Sequence, residues 1–102
     1  MNRIETLTEV LSQDPTNAFA RYGLAIEYSN SGQMKQAIEE FEKLLSAHPD
    51  YTAGYFMAAQ TMAKSGRQDE AVNMLREGIT VAAKKGDTHA QSEMQAMLDE
   101  MV

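Results

Sequence analysis

The sequence predicts an all-α fold, a right-handed α-solenoid built from antiparallel helix pairs. The first observation behind this prediction is an internal repeat, because a shift of 34 positions places Ala25 on Ala59 and Gly32 on Gly66. The second is that apolar residues recur at the same offset, in the sets Ile4, Ile38 and Val72; Leu7, Phe41 and Leu75; and Leu11, Leu45 and Ile79. Repeats of this length indicate stacked helix-turn-helix units, each of which buries its apolar face against the next.

Composition narrows the class of protein. A chain of 102 residues is long enough for a single domain, which we expect to span residues 1–102. The absence of cysteine excludes disulfides and thiolate metal sites. Fifteen acidic against nine basic residues give a net charge of -6. This charge disfavours nucleic acid as a partner, because binding to a phosphate backbone depends on cations.

Hydropathy argues against a membrane protein. No apolar run approaches the roughly 20 residues that a membrane-spanning helix needs, and Glu5 and Glu9 interrupt the first turns of the chain. We therefore expect no secretion signal and no membrane partner. The expected location is the cytoplasm.

Six helices are predicted from apolar residues at helical spacing, over about 3–13, 17–30, 33–47, 50–64, 69–85 and 88–101. Side chains suited to capping a helix N-terminus mark three of the starts, at Asn2, Asp50 and Thr88. Gly32 and Gly66 follow the second and fourth helices, where glycine supplies the left-handed conformation that ends a helix.

Small and bulky residues occupy matching places in two consecutive units. The first unit carries Leu24, Ala25, Tyr28, Gly32, Ala37, Phe41, Leu44 and Pro49. The second carries Tyr55, Ala58, Ala59, Met62, Gly66, Ala71, Leu75 and Gly78. Together these residues resemble the tetratricopeptide repeat, a 34-residue pair of antiparallel helices. The resemblance implies about two and a half repeats, with a half repeat at 1–15 and full repeats at 16–49 and 50–85.

The last segment, 86–102, is expected to form a capping helix by its position. Met94, Met97 and Met101 share one face of this helix at helical spacing. We expect this face to dock onto the array, because an unpacked terminal repeat is unstable.

Three positions depart from the simple repeat. Arg21 stands where the family usually has a large apolar residue, and Ala83 stands where the second repeat would have its proline. Gly78 lies in the middle of a helix, where glycine costs about 1 kcal/mol against alanine. The resemblance implies that a small residue is needed there because neighbouring helices approach closely.

The resemblance also implies a concave groove lined by the first helix of each repeat. Its family positions correspond here to Phe19, Tyr22, Ile26, Ser29 and Asn30, then to Ala53, Phe56, Gln60, Ala63 and Lys64. Spacings of three and four place the first three residues on one helix face. The hypothesis is that a partner binds Phe19, Tyr22, Ile26, Asn30, Phe56, Gln60 and Lys64.

Family members that hold the acidic tails of heat-shock chaperones use a lysine and an asparagine at two of these positions. Here those positions hold Tyr22 and Ile26 in one repeat and Phe56 and Gln60 in the next. The resemblance therefore implies a different ligand, an apolar or aromatic-bearing peptide of a protein partner.

An alternative is that the groove or the capping helix is buried within an assembly of identical chains. At least three repeats are usually needed for a stable array, so a second copy could complete the core. The sequence thus leaves two hypotheses, a peptide-binding module and a self-associating structural protein.

The sequence offers little for catalysis. His48 and His89 lie at predicted helix ends, and we expect neither to have a second ligand-type residue one turn away. The turn glycines are isolated, so no phosphate-binding loop is predicted. No nucleophile, base and orienting group can be assembled. We therefore expect no enzyme activity, no metal and no cofactor.

Three carboxylates cluster in the third predicted helix, at Glu39, Glu40 and Glu42. Lys35 and Lys43 lie one turn from two of them. This pattern predicts a solvated, ion-paired surface.

Overall fold

The computed structural model describes residues 2–102, and all regular secondary structure in this range is helical. Six helices follow one another: α1 (Arg3–Gln13), α2 (Ala18–Asn30), α3 (Met34–Ala47), α4 (Thr52–Lys64), α5 (Gln68–Lys85) and α6 (Thr88–Met101). The all-α prediction is therefore confirmed. The division into units at 15, 49 and 85 stays a prediction.

The helices form two layers, because each helix packs mainly against the next one in the chain. Beyond these neighbours, α2 touches α4, and α4 touches α6. In the described range α1, α3 and α5 have no such close approach to one another. The layer of α2, α4 and α6 is thus the closer-packed one and forms the concave side of the stack.

Side-chain caps begin three of the helices. The Asn2 side chain accepts a hydrogen bond from the Glu5 backbone N–H at 2.8 Å, as its position predicts. Asn17 does the same at the start of α2. Asp87 caps α6 through the Ala90 N–H at 3.1 Å.

Two predicted caps are wrong. Thr88 is already the first helical residue of α6, because the preceding Asp87 takes the capping role. Asp50 lies in the turn before α4, where Tyr51 occupies the cap position without a side-chain hydrogen bond. Two turn residues, Pro49 and Asp50, precede the cap position, so α4 begins at Thr52.

The turn glycines adopt the conformation that the sequence predicts. Gly32 has φ 81° and Gly66 has φ 82°, both in the left-handed region that other residues avoid. In both turns the backbone N–H of the following residue reaches back to the helix, from Gln33 to Tyr28 and from Arg67 to Met62. These bonds satisfy carbonyls at the helix C-terminus.

The core runs along the stack as three adjoining clusters. Repeat-signature residues supply its most buried members, with no exposed surface at Ala25, Ala37, Phe41, Leu44, Ala58, Ala59, Ala71 and Leu75. Met94 is fully buried against α5, and Met97 and Met101 pack beside it. The methionine face of α6 therefore docks onto the array, as predicted.

Gly78 sits where three helices meet. A Cβ atom at this position would lie 2.6 Å from Cβ of Tyr55 in α4 and 2.5 Å from Sδ of Met94 in α6. Since real Cβ atoms essentially never approach other atoms that closely, the helices could not pack as they do around a larger residue. The predicted need for a small residue is confirmed.

Glu40 corrects the prediction of a fully solvated acidic surface on α3. Glu39 and Glu42 are exposed, but Glu40 is buried. Its carboxylate receives Arg21 Nη1 at 2.6 Å and Lys43 Nζ at 3.2 Å. The unusual arginine in α2 is thus explained, because it neutralises a carboxylate that α3 turns toward it.

Candidate functional site

A cleft of about 240 Å³ opens on the concave layer, where α2, α4 and the start of α6 meet. Its lining combines aromatic, aliphatic and charged side chains: Tyr22, Thr52, Ala53, Phe56, Met57, Asp87, His89, Ala90 and Glu93. The cleft is therefore shared by all three helices of this layer.

Tyr22 forms the wall on the α2 side. Its ring meets Phe41 edge to face, with centroids 6.4 Å apart, and lies tilted against Tyr51 at 5.3 Å. Burial, and then the neighbouring Tyr51, raise the pKa of the Tyr22 phenol. Burial also raises the pKa of Tyr51. Both rings are thus held in place and neutral, with an aromatic surface left toward the cleft.

Phe56 forms the opposite wall, on α4. It is half-buried and packs against the core cluster that joins α3, α4, α5 and α6. Ala53 lies one turn earlier and is exposed. A methyl group at this position leaves the space between the aromatic walls open.

The third wall, from α6, is acidic. One oxygen of Asp87 caps the helix, and the other lies 3.4 Å from the Thr52 hydroxyl, which donates to it across the α4–α6 junction. Glu93 contacts His89, with Nε2 and Oε1 2.9 Å apart. The expectation that neither histidine has a ligand-type neighbour one turn away is therefore wrong for His89.

His48 makes a contact between two parts of the fold and lies outside the cleft. It follows α3 as the C-cap residue, and its Nε2 lies 3.1 Å from the Thr16 carbonyl oxygen. It therefore joins the end of α3 to the turn between α1 and α2. Across residues 2–102, no three His, Cys, Asp or Glu side chains gather closely enough to hold a metal ion.

The cleft brings together three of the positions predicted for the groove, Tyr22, Ala53 and Phe56, of which Tyr22 and Phe56 are among the seven residues predicted to bind a partner. Ile26 is half-buried against the α2–α3 cluster, and Gln60 is half-buried further along α4. Phe19 is 78% exposed and lies outside the cleft lining. The other predicted residues lie elsewhere: Asn30 borders a separate depression beside α1, and Lys64 is exposed at the end of α4.

Sequence reasoning did not place α6 in the groove. The signal was present, since Ala58 and Met62 are followed 36 residues later by Met94 and Leu98, which are buried in the same pattern. The strict 34-residue offset hides this match because α5, with 18 residues, is longer than α3, with 14.

A wider, open depression of about 630 Å³ lies on the opposite layer, along α3. It is bordered by Glu39, Glu42, Lys43, Ser46 and Ala47. Its charged, exposed lining lacks the aromatic side chains that anchor partners. We therefore regard the concave cleft as the candidate site.

None of the helices in residues 2–102 combines the length and apolar character that crossing a membrane requires.

Comparison with known proteins agrees with this architecture. The sequence model of the tetratricopeptide repeat matches residues 4–50 and 30–98. A TPR repeat-containing protein of Pseudomonas aeruginosa is 30% identical over 95 residues, which is 93% of this chain and 90% of that protein.

Solved structures agree as well. The solution structure of a tetratricopeptide repeat domain protein from Salinibacter ruber is 31% identical, with a TM-score of 0.81 over 86% of this chain and 89% of that one. PcrH, solved in complex with the chaperone binding region of PopD, is 18% identical and shares the fold, with a TM-score of 0.89 over 96% of this chain and 74% of PcrH. The chain belongs to the tetratricopeptide repeat family.

Proposed function

We propose that this protein is an interaction module that holds a peptide or short helix of a partner protein in the groove between α2, α4 and α6. The observation that carries the proposal is the cleft walled by Tyr22 and Phe56 on the concave layer. The proposal assigns no catalytic step to the chain, and the cytoplasm is its proposed compartment.

The size of the cleft favours a peptide side chain over a free small molecule. Small-molecule sites typically enclose about 300–1,000 Å³, whereas this cleft offers about 240 Å³. A space of this size suits one or two anchoring side chains of a longer segment. Aromatic residues in a central pocket typically supply most of the energy of such an interface.

The PcrH structure supports a protein segment as the ligand. PcrH was solved in complex with the chaperone binding region of PopD. That partner is a segment of a protein, which is the kind of ligand we propose for this chain.

Site-specific crosslinking tests the proposal. A photo-crosslinking amino acid in place of Ala53, an exposed residue of the cleft, should form adducts with a partner in lysate of the native organism. Phe56→Ala should abolish those adducts while leaving the circular dichroism spectrum helical. The matched control carries the crosslinker in place of Glu39, on the exposed side of α3. Adducts that form from position 39 and not from position 53 would show that the partner binds the layer of α1, α3 and α5.

Exposed apolar surface favours self-association as a second candidate. Phe19 is 78% exposed near the start of α2, although a single exposed apolar residue is common on monomers. If identical chains assemble through it, sedimentation at increasing concentration should show a dimer that Phe19→Asp dissociates. A wild-type monomer at the highest concentration would rule out this candidate.

A further inference from the structure

We infer that the partner segment carries a cationic side chain, best an arginine, that enters the cleft between Tyr22, Phe56 and the carboxylates of Asp87 and Glu93. This inference rests on the proposed function and names the chemistry of its ligand. It predicts a basic, apolar-flanked segment and excludes an acidic tail.

The charge of the cleft points to a cation. Its lining contains two carboxylates, Asp87 and Glu93, and no lysine or arginine. Lys85 borders a neighbouring depression, but its ammonium donates to the Asp50 carbonyl at 2.7 Å. The net charge of -6 adds a negative field around the whole domain. A cationic side chain is therefore attracted, and a carboxylate is repelled.

Both carboxylates remain able to accept from a ligand. The Glu93 side chain is 49% exposed, and its contact with His89 uses one of its two oxygens. Asp87 accepts hydrogen bonds from the Ala90 N–H and, at 3.4 Å, from the Thr52 hydroxyl. Neither donor carries a charge, so neither contact forms an ion pair with the carboxylate.

The aromatic walls favour arginine among cations. A guanidinium stacks on aromatic faces and also pairs with carboxylates through its planar set of N–H donors. Its aliphatic stem can lie along apolar surface such as that of Ala53 and Met57. A lysine would satisfy the charge, but its ammonium has no planar face to stack.

Selection from a phage-displayed library of random 12-residue peptides tests the inference. Binders to the wild-type protein should be enriched in arginine flanked by apolar residues. For a synthetic peptide of the selected sequence, Glu93→Gln and Asp87→Asn should each weaken Kd by about 5–10-fold. Asp87→Asn keeps a side-chain oxygen for capping α6, so its effect reports charge. The matched control Glu100→Gln, on an exposed residue of the same helix, should change Kd less than about twofold.

A charge exchange provides the sharper test. Glu93→Arg should abolish binding of the arginine peptide and restore binding of a peptide in which that arginine is glutamate. Replacing the peptide arginine by lysine should weaken binding, and replacing it by glutamine should weaken it more.

The outcomes separate this inference from the proposed function. The inference would be overturned if the selected peptides lose binding on Phe56→Ala but carry no cation, or if Glu93→Gln leaves their Kd unchanged. The groove proposal would stand in either case. If the selected peptides bind Phe56→Ala and Ala53→Arg as tightly as the wild type, the inference and the groove proposal would both be overturned. A selection that enriches no peptide would also count against both.

Discussion

At the scale of single residues, the ion pair between Arg21 and Glu40 shows how two unusual positions compensate each other. Their side chains are only 19% and 11% exposed, and the pair is extended by Lys43 and by the Pro15 carbonyl, to which Arg21 donates. Burying either charge alone would be costly, because a buried ion without a partner loses its hydration. The pair therefore fixes α2 against α3 in a single arrangement.

Removal of one partner should destabilise the fold strongly. Glu40→Ala leaves the partly buried Arg21 guanidinium without its carboxylate, and we expect a loss of about 2–4 kcal/mol in the free energy of unfolding. Glu39→Ala, on the exposed side of the same helix, should change it by less than about 0.5 kcal/mol. Urea denaturation of both variants measures the difference. Equal, small losses would show that the ion pair contributes little.

Tyr55 links a buried hydroxyl to stability at high pH. Its phenol donates to the Pro49 carbonyl at 2.7 Å. Burial, and then the charges of Glu77 and Asp50, raise the pKa of this phenol above its ordinary value of 10.0. The folded state thus holds the proton more tightly than the unfolded state, so this contribution to stability is complete below pH 10.0 and is lost as pH rises through the folded pKa.

The expected signature is a pH-dependent effect of Tyr55→Phe. At about pH 8 this change should cost about 1 kcal/mol, because the Pro49 carbonyl loses its hydrogen-bond donor. At about pH 11 the gap between the variant and the wild type should narrow, since phenylalanine has no proton to lose. Denaturation curves at the two pH values test this. A constant gap would contradict the assignment.

At the scale of helices, Gly78 decides how closely α5 approaches its neighbours. Gly78→Ala places a methyl group against Tyr55 Cβ and Met94 Sδ, and we expect a loss of about 1–3 kcal/mol through overpacking. Gly23→Ala is a matched control, because its new methyl group would lie 3.4 Å from Leu7, an ordinary contact. The control should be neutral or stabilise α2 by up to about 1 kcal/mol. Thermal melts measure the difference, and a decrease in Tm of similar size in both variants would contradict this account.

The turn glycines make a second prediction for the helices. Gly66→Val forces a branched side chain into φ 82° and should cost about 1–2 kcal/mol. Gly66→Asn should cost less, because asparagine tolerates the left-handed region. Open space surrounds the missing Cβ, so the cost comes from the backbone conformation alone. An equal melting temperature for both variants would show that the backbone conformation does not matter here.

Local signals in the sequence predict the helices well. Each boundary falls within two residues of its predicted place, because apolar spacing and turn glycines act over a few residues. The pairing of Arg21 with Glu40 could not be predicted, since it joins residues 19 positions apart through the packing of two helices. The acidic wall of the cleft was missed for a related reason. The longer α5 displaces α6 from the 34-residue repeat.

At the scale of the whole molecule, stability should vary along the stack. Each helix from α2 to α5 packs on a neighbour at both sides, and α3 and α4 lie farthest from the ends, which are α1 and α6. In arrays whose contacts lie mainly between helices adjacent in the chain, the ends open more readily than the middle. Amide hydrogen exchange should therefore be slowest in α3 and α4. Uniform exchange rates would show that the six helices unfold as one cooperative unit.

The close contact at Gly78 has a consequence for how ligand preference can change. This residue touches α4 and α6 from behind, through Tyr55 and Met94, and does not line the cleft. It nevertheless helps to set the separation between Phe56 on α4 and Glu93 on α6. A substitution that adds volume here and moves α4 and α6 apart would widen the binding site without altering any group that meets the ligand. Selection for a new partner could then act on the back of the groove, and an engineer could tune specificity there while leaving the recognition chemistry intact.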